Sequence, residues 1–201
     1  GYRDVVEKHH AWVLSRLVVE FEQMPITADS YCVETWVSRI YRQFTDRLFA
    51  ITGADGKVYG YASSIWALID IDSRQPMDFS LLPEGGFRNA VVEREVPIQG
   101  PGRVRVKTDT PVHTREACYS DLDINGHVNS IRYIEMILDL FKQELYEEKK
   151  TVRRVEMSYS AESYCGDVLD FYLQRDASHA HQVEIRKRGG ETVVKAIVCL
   201  Q

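Results

Sequence analysis

Residues 129 to 141 read as a helix with almost no polar side. Its polar members are Ser130, Arg132, Glu135 and Asp139, and the last three fall on one narrow stripe. Ile131, Tyr133, Ile134, Met136, Ile137, Leu138, Leu140 and Phe141 cover the rest of the girth. A helix apolar nearly all round is buried, not laid on a surface. The segments around it can supply the enclosure. "SRLVVEFEQM", "SYCVETWVSRIY", "RQFTDRLFAIT" and "VYGYASSIWALIDID" precede it; "RRVEMSYSAES", "DVLDFYLQRD", "HQVEIRKR" and "ETVVKAIVCL" follow. All are rich in Val, Ile, Tyr, Phe or Trp, with period-two alternation in places, as strands are.

The strand segments repeat. "SYCVETWVSRIYRQF" matches "SYCGDVLDFYLQRD", and "DGKVYGYASSIWALI" matches "GGETVVKAIVCL", both at an offset of roughly 134 positions, far beyond the repeat lengths of solenoids. A duplicated domain follows, with the long helix only in the second copy. A curved antiparallel sheet wrapped around one central helix is the hotdog architecture. The fold expected is therefore α+β, a tandem double hotdog whose first copy lacks its N-terminal strand and helix, or keeps the helix only as residues 2–11. The boundaries expected are 1–72 for the first domain, 73–103 for a proline-rich linker with room for one short helix, and 104–201 for the second domain. "GADGK" at 53–57, "ASHA" at 177–180 and the glycine pair at 189–190 are the expected turns.

The formal charge of −5 argues against general nucleic-acid binding, because phosphate recognition needs a net basic face. Three basic clusters stand out locally: Arg103, Arg105 and Lys107; Lys149, Lys150, Arg153 and Arg154; Arg186, Lys187 and Arg188. An acidic carrier protein is a partner such clusters can steer. No apolar run is long enough to span a membrane, and no secretory leader is visible. Cys32, Cys118, Cys165 and Cys199 are scattered, which suits reduced, mostly structural thiols better than disulfides or zinc. His9 with His10 and His179 with His181 fit a helix end and a hairpin tip better than a metal site. Trp12, Trp36 and Trp66 fit core or pocket wall.

Just ahead of the helix, "YSDLDINGHVN" sets Asp123, Asn125 and His127 two residues apart. In an extended loop these side chains point to one side, and Asn125-Gly126 lets the chain turn there. A helix beginning near Val128 or Asn129 adds unpaired N–H groups and a positive dipole end. A carboxylate, an imidazole, an amide and donors for an oxyanion together suit acyl transfer to water. Asp and Asn ahead of a helix are also ordinary caps and turn formers. The spacing matches neither a zinc site nor an EF-hand.

The stretches "YSDLDINGHVNSIRYIEMILD" and "MSYSAESYCGDVL", with "WVLSRL", "TWV" and "FTDRLFAI" in the first half, resemble the acyl-acyl carrier protein thioesterases of plant plastids and bacteria. The likeness covers nearly the whole chain. It implies two hotdogs in tandem and hydrolysis of a fatty acyl thioester, without cofactor or metal. It places Asp123, Asn125 and His127 on the family's catalytic aspartate, asparagine and histidine, and puts its glutamate, on the strand after the helix, at Glu162. By resemblance, Asp123 and Glu162 orient and deprotonate the water, while Asn125 and His127 position the carbonyl or the carboxylate. Plant members carry a cysteine directly after the glutamate; here Ser163 stands there and Cys165 lies two residues on, which disfavours a cysteine nucleophile. Family members also begin with a strand and a helix ahead of the tryptophan of "WVLSRL", where this chain has eleven residues.

The partner implied is an acyl carrier protein with its phosphopantetheine-linked acyl chain, and sheet edges leave room for a homodimer. The setting implied is a bacterial cytoplasm, or the plastid stroma for a plant enzyme. The rivals are an acyl-CoA thioesterase, a hotdog dehydratase acting on 3-hydroxyacyl thioesters with His127 in its site, and a non-catalytic acyl-binding module.

Overall fold

The computed structural model describes residues 9–79, 90–177 and 179–201. The chain forms two compact units, residues 1–100 and 101–201.

The first unit is built from β1 (His10–Phe21), β2 (Tyr31–Ile40), β3 (Phe44–Gly53) and β4 (Val58–Asp70). They pair antiparallel in the order β2-β3-β4-β1. The turn at 53–57 closes through a bond from the Gly53 amide to the Lys57 carbonyl, with Gly56 at positive φ. Where β1 and β4 approach most closely, a Cβ on Gly60 would lie 2.3 Å from the Glu20 carbonyl oxygen, so no larger residue fits that register. Trp36, Leu48 and Ala50 form the core on one face, with Val96 packed against them. Part of the stretch expected as linker thus lies on this sheet: Val91 bridges Val37, and the Trp36 indole N–H donates to the Arg94 carbonyl. Among the described residues this unit has no α-helix. A helix within 2–11 would fall mostly on residues outside those described, and β1 already begins at His10. Residues 80–89, in the middle of the 73–103 stretch that had room for a short helix, also lie outside them.

The second unit repeats the order. Its strands are β5 (His113–Glu116), β6 (Val152–Tyr159), β7 (Val168–Gln174), β8 (Ala180–Lys187) and β9 (Thr192–Leu200). The pairing β7-β8-β9-β6 reproduces β2-β3-β4-β1, and β5 adds an edge beside β7. The duplication read from sequence is therefore one of topology as well. From Val194 onward, alternation in β9 buries Val194, Ala196 and Val198, which join Met157, Leu169, Phe171, Val183 and Ile185 in the core.

The helix α1 (Ser130–Leu138), the one α-helix among the described residues, packs on this sheet. Asn129 caps it, its side chain accepting from the Ile131 N–H at 2.9 Å, as an N-cap should. The chain then tightens to a 3₁₀ turn at Asp139–Phe141 and widens to a π turn at Gln143–Glu147. Tyr133, Met136, Ile137 and Phe141 are buried. The helix is not buried all round, however: Ile131 is 54 % exposed. Pairing of the helix with the sheet is direct. The Tyr159 hydroxyl donates to the Ser130 carbonyl, and the Phe141 ring stacks on His181 at 5.3 Å.

The stretch "RVRVKTDTPVHTREACY" at 103–119 reads from sequence as extended and alternating, and β5 lies within it. Residues 102–107, however, form no ladder but run across the sheet as a strap, held at one strand after another. The Gly102 amide donates to Glu156 of β6, the Arg105 amide to Gln182 of β8 and the Lys107 amide to Gln174 of β7. Among the described residues no helix is long and apolar enough to cross a membrane.

Candidate active site

The loop between β5 and α1 is assembled around a buried carboxylate. Asp121 is 5 % exposed, and its Oδ2 accepts from the Arg115 guanidinium at 2.6 Å and the Cys118 amide at 2.8 Å. Its carbonyl accepts from the Asn129 amide at 2.9 Å. One residue therefore sets the 3₁₀ turn at Tyr119–Asp121, ties it to β5 and anchors the start of α1. Nothing in the sequence pattern singled Asp121 out, because its partners lie in a turn whose shape is tertiary.

From this base the chain makes a tight hairpin rather than an extended run. Leu122 bridges Val128, the Asp123 amide donates to the His127 carbonyl at 2.8 Å, and the Gly126 amide donates to the Asp123 carbonyl at 3.1 Å. Gly126 has φ +78°, a region that glycine enters freely. The expected same-side alternation of Asp123, Asn125 and His127 therefore does not apply, because it holds only for an extended chain. Asp123 Oδ1 accepts the amides of Asn125, at 2.8 Å, and His127, at 3.3 Å. That carboxylate is the turn former the residue type allows. Asn125 is exposed, and its side chain has no hydrogen-bond partner among the described residues.

The helix start is already capped. The amides of Val128, Asn129, Ile131 and Arg132 bond to Ser163, Asp121 and Asn129, so the array of unpaired donors expected there is largely taken. The side-chain donors nearest in the chain are those of Asn125 and His127.

Glu162 lies just beyond β6, in the 160–167 connection rather than on the strand itself. The Ser160 amide donates to Val193, and the Val128 amide donates to the Ser163 carbonyl at 2.8 Å, which clamps this connection to the hairpin. The result joins two distant segments: His127 Nε2 stands 3.5 Å from Glu162 Oε2, both side chains about two-thirds or more covered. The Tyr164 hydroxyl donates to the same Oε2 at 3.1 Å. Among the direct side-chain contacts of Glu162 that the fold sets here are His127 and Tyr164.

Ser163 is fully buried, and so is the Tyr133 hydroxyl on α1. Burial pushes Tyr133 up to about 12, offset only in part by the neighbouring Ser163 hydroxyl. Ser163 is thus walled away from solvent behind the site, while Cys32, Cys118 and Cys165 are exposed rather than built into the core. His181 also departs from expectation. It is a core residue on β8, not part of a hairpin tip, whereas His9 pairs with Asp72 at 3.5 Å next to the start of β1. Among the described residues no cluster of His, Cys, Asp or Glu has the arrangement to hold a metal ion.

Two family models match this chain. One, for the acyl-ACP thioesterase N-terminal domain, matches residues 2–80, and one for the C-terminal domain matches residues 104–199. The crystal structure of an acyl-ACP thioesterase from Bacteroides thetaiotaomicron is 45% identical, covering 100% of this chain and 81% of that one with a TM-score of 0.93. The structure of a 12:0-ACP thioesterase from Umbellularia californica is 19% identical, covering 98% of this chain and 78% of that one at a TM-score of 0.84, and it shows the fold alone. A chloroplastic palmitoyl-acyl carrier protein thioesterase from Arabidopsis thaliana is 27% identical over 172 residues, 81% of this chain. The chain spans 40% of that relative's length.

Proposed function

The chain belongs to the acyl-ACP thioesterase family, and on that premise we propose that it hydrolyses a fatty acyl-acyl carrier protein to the free acid and the carrier's thiol. The observation that carries this reading is the His127–Glu162 contact at the mouth of the 122–128 hairpin. Glu162 takes a proton from water as the water oxygen attacks the thioester carbonyl carbon. The Asn125 amide and the His127 imidazole bear on the carbonyl oxygen as it gains charge. Collapse breaks the C–S bond, and Glu162 returns the proton to the departing sulfur, so one water is consumed and no cofactor is required. Asp123 Oδ1 holds the hairpin in shape, and Oδ2 is the oxygen with which Asp123 would orient the water.

The carrier is assigned to the Arg103, Arg105 and Lys107 stripe. These side chains are exposed on the strap and have no side-chain partner among the described residues. Arg186 and Lys187, by contrast, are paired with Glu184, Asp167 and Glu191. The setting assigned is a bacterial cytoplasm or the plastid stroma, where acyl carriers are loaded. A homodimer through the edge strand β2, where Tyr31 and Val33 are exposed, completes the reading and is testable by light scattering.

The deciding experiment compares matched acyl-carrier and acyl-CoA substrates with the full-length protein, following thiol release. A higher kcat/KM for the carrier substrate supports the proposal. A preference for CoA moves the assignment to an acyl-CoA thioesterase. Loss of water from a 3-hydroxyacyl substrate without thiol release moves it to a dehydratase.

A further inference from the structure

Tyr164 touches both members of the His127–Glu162 pair. Its hydroxyl donates to Glu162 Oε2 at 3.1 Å, and its ring stands perpendicular to the imidazole, with centroids 5.1 Å apart. Its own backbone is held in turn: the Tyr164 amide donates to Asp167 Oδ2 at 2.9 Å. The ammonium of Lys187 on β8 lies 3.6 Å from the same Asp167 oxygen and 5.7 Å from the centre of the tyrosine ring. Here the positive φ of Gly166 and the Gly166 amide bond to Ala117 complete the turn.

We propose that Tyr164 is a positioning residue for the hydrolysis: its hydroxyl fixes the orientation of the Glu162 carboxylate and its ring holds the His127 imidazole against it. This rests on the acyl thioesterase reading above and deepens it. A hydrogen bond donated to one carboxylate oxygen fixes the plane in which the other can meet water, and a general base acts only within hydrogen-bond reach of the proton it takes. His127 from the hairpin, Tyr164 from its own connection, and Tyr133 of α1 within electrostatic reach are among the groups around Glu162. Asp167 and Lys187 stand behind Tyr164.

Tyr164→Phe removes the hydroxyl and keeps the ring; Tyr164→Leu removes both. With the full-length protein and an acyl-carrier substrate, Tyr164→Phe is expected to lower kcat about tenfold with KM and the melting temperature nearly unchanged. Tyr164→Leu is expected to lower kcat further. A merely structural role would lower thermal stability without splitting kcat from KM. Wild-type kcat in Tyr164→Phe overturns the inference, and if Glu162→Gln is inactive in the same assay the thioesterase reading stands without it. If the wild-type protein releases no thiol, that reading fails instead. The contact is then decided by proton NMR: nuclear Overhauser effects between the Tyr164 ring and the His127 imidazole are expected, and their absence overturns the inference.

Discussion

The imidazole of His127 stands 3.5 Å from the carboxylate of Glu162, although one side chain comes from a hairpin before α1 and the other from the connection after β6. The bond from the Val128 amide to the Ser163 carbonyl sets this distance, since it joins the residue next to His127 with the residue next to Glu162. The pair is therefore a product of backbone clamping, and its geometry depends on the hairpin keeping its shape.

Asp123 separates shape from charge. Its Oδ1 accepts two amides of its own loop. Asp123→Asn keeps an oxygen acceptor at that position, whereas Asp123→Ala leaves both amides without one. The alanine variant is expected to lose about 1–3 kcal/mol of stability, the worth of two such bonds, and to lose activity with it. The asparagine variant should melt like the wild type and turn over more slowly, because the negative charge is gone. Wild-type turnover in Asp123→Asn would remove the charge from the chemistry and leave Asp123 as a turn former alone. Thermal melts beside thiol-release rates make the comparison.

His181 gives stability a pH dependence. It is buried on β8 against Phe141 and accepts a hydrogen bond on Nδ1 from the Asp176 amide. Burial first, and the nearby Arg175 guanidinium second, hold its imidazole below the ordinary value of 6.5, with Glu144 opposing. The unfolded chain therefore binds the proton more readily than the folded one. The contribution of His181 is fully present above the ordinary histidine range and is lost as pH falls below it. Urea unfolding at pH 7.5 and at pH 5.5 should show a smaller drop for His181→Phe than for the wild type. Equal drops would contradict the assignment.

Phe141 closes the core beneath the helix. It is fully buried, stacked on His181 and covered by the Arg175 guanidinium at 5.5 Å. Phe141→Ala is expected to cost about 3–5 kcal/mol, the transfer loss plus the cavity left behind. Denaturant unfolding measures it. A cost near zero would mean that the 3₁₀ and π turns after α1 collapse into the space.

The strap carries the docking prediction. Reversing Arg103, Arg105 and Lys107 to glutamate leaves the strap's bonds intact, since the Gly102, Arg105 and Lys107 main-chain amides make those to Glu156, Gln182 and Gln174. KM for an acyl-carrier substrate should rise several-fold and lose its salt dependence, while kcat for an acyl-pantetheine substrate should not change. An unchanged KM for the carrier would place its binding elsewhere.

Much of the fold was legible because strand signals are local. β2, β3, β4, β7, β8 and β9 lie where alternation and β-branched residues put them, and the matching segments have matching places in their sheets. The strap was read as extended and alternating for the same reason, since Val104 and Val106 alternate with charges. Sequence carries no mark that its partners are side chains rather than a neighbouring strand. The helix read as enclosed because composition cannot say which apolar residues face outward, and Ile131 does. At the site, residue types drew attention to the 122–128 loop, and family likeness brought in Glu162. What stayed hidden was pairing at a distance: Asp121 as the anchor, His127 beside Glu162, and Tyr164 against both. Each depends on how the 160–167 connection folds back, and no period or motif encodes that.

The most direct test of this account is the rate of thiol release from an acyl-carrier substrate by the full-length protein and its Glu162→Gln variant. That substitution keeps the shape and removes the base. The account predicts a fall in kcat of about 10²–10⁴-fold with the melting temperature unchanged. A variant that folds and turns over at the wild-type rate would contradict it.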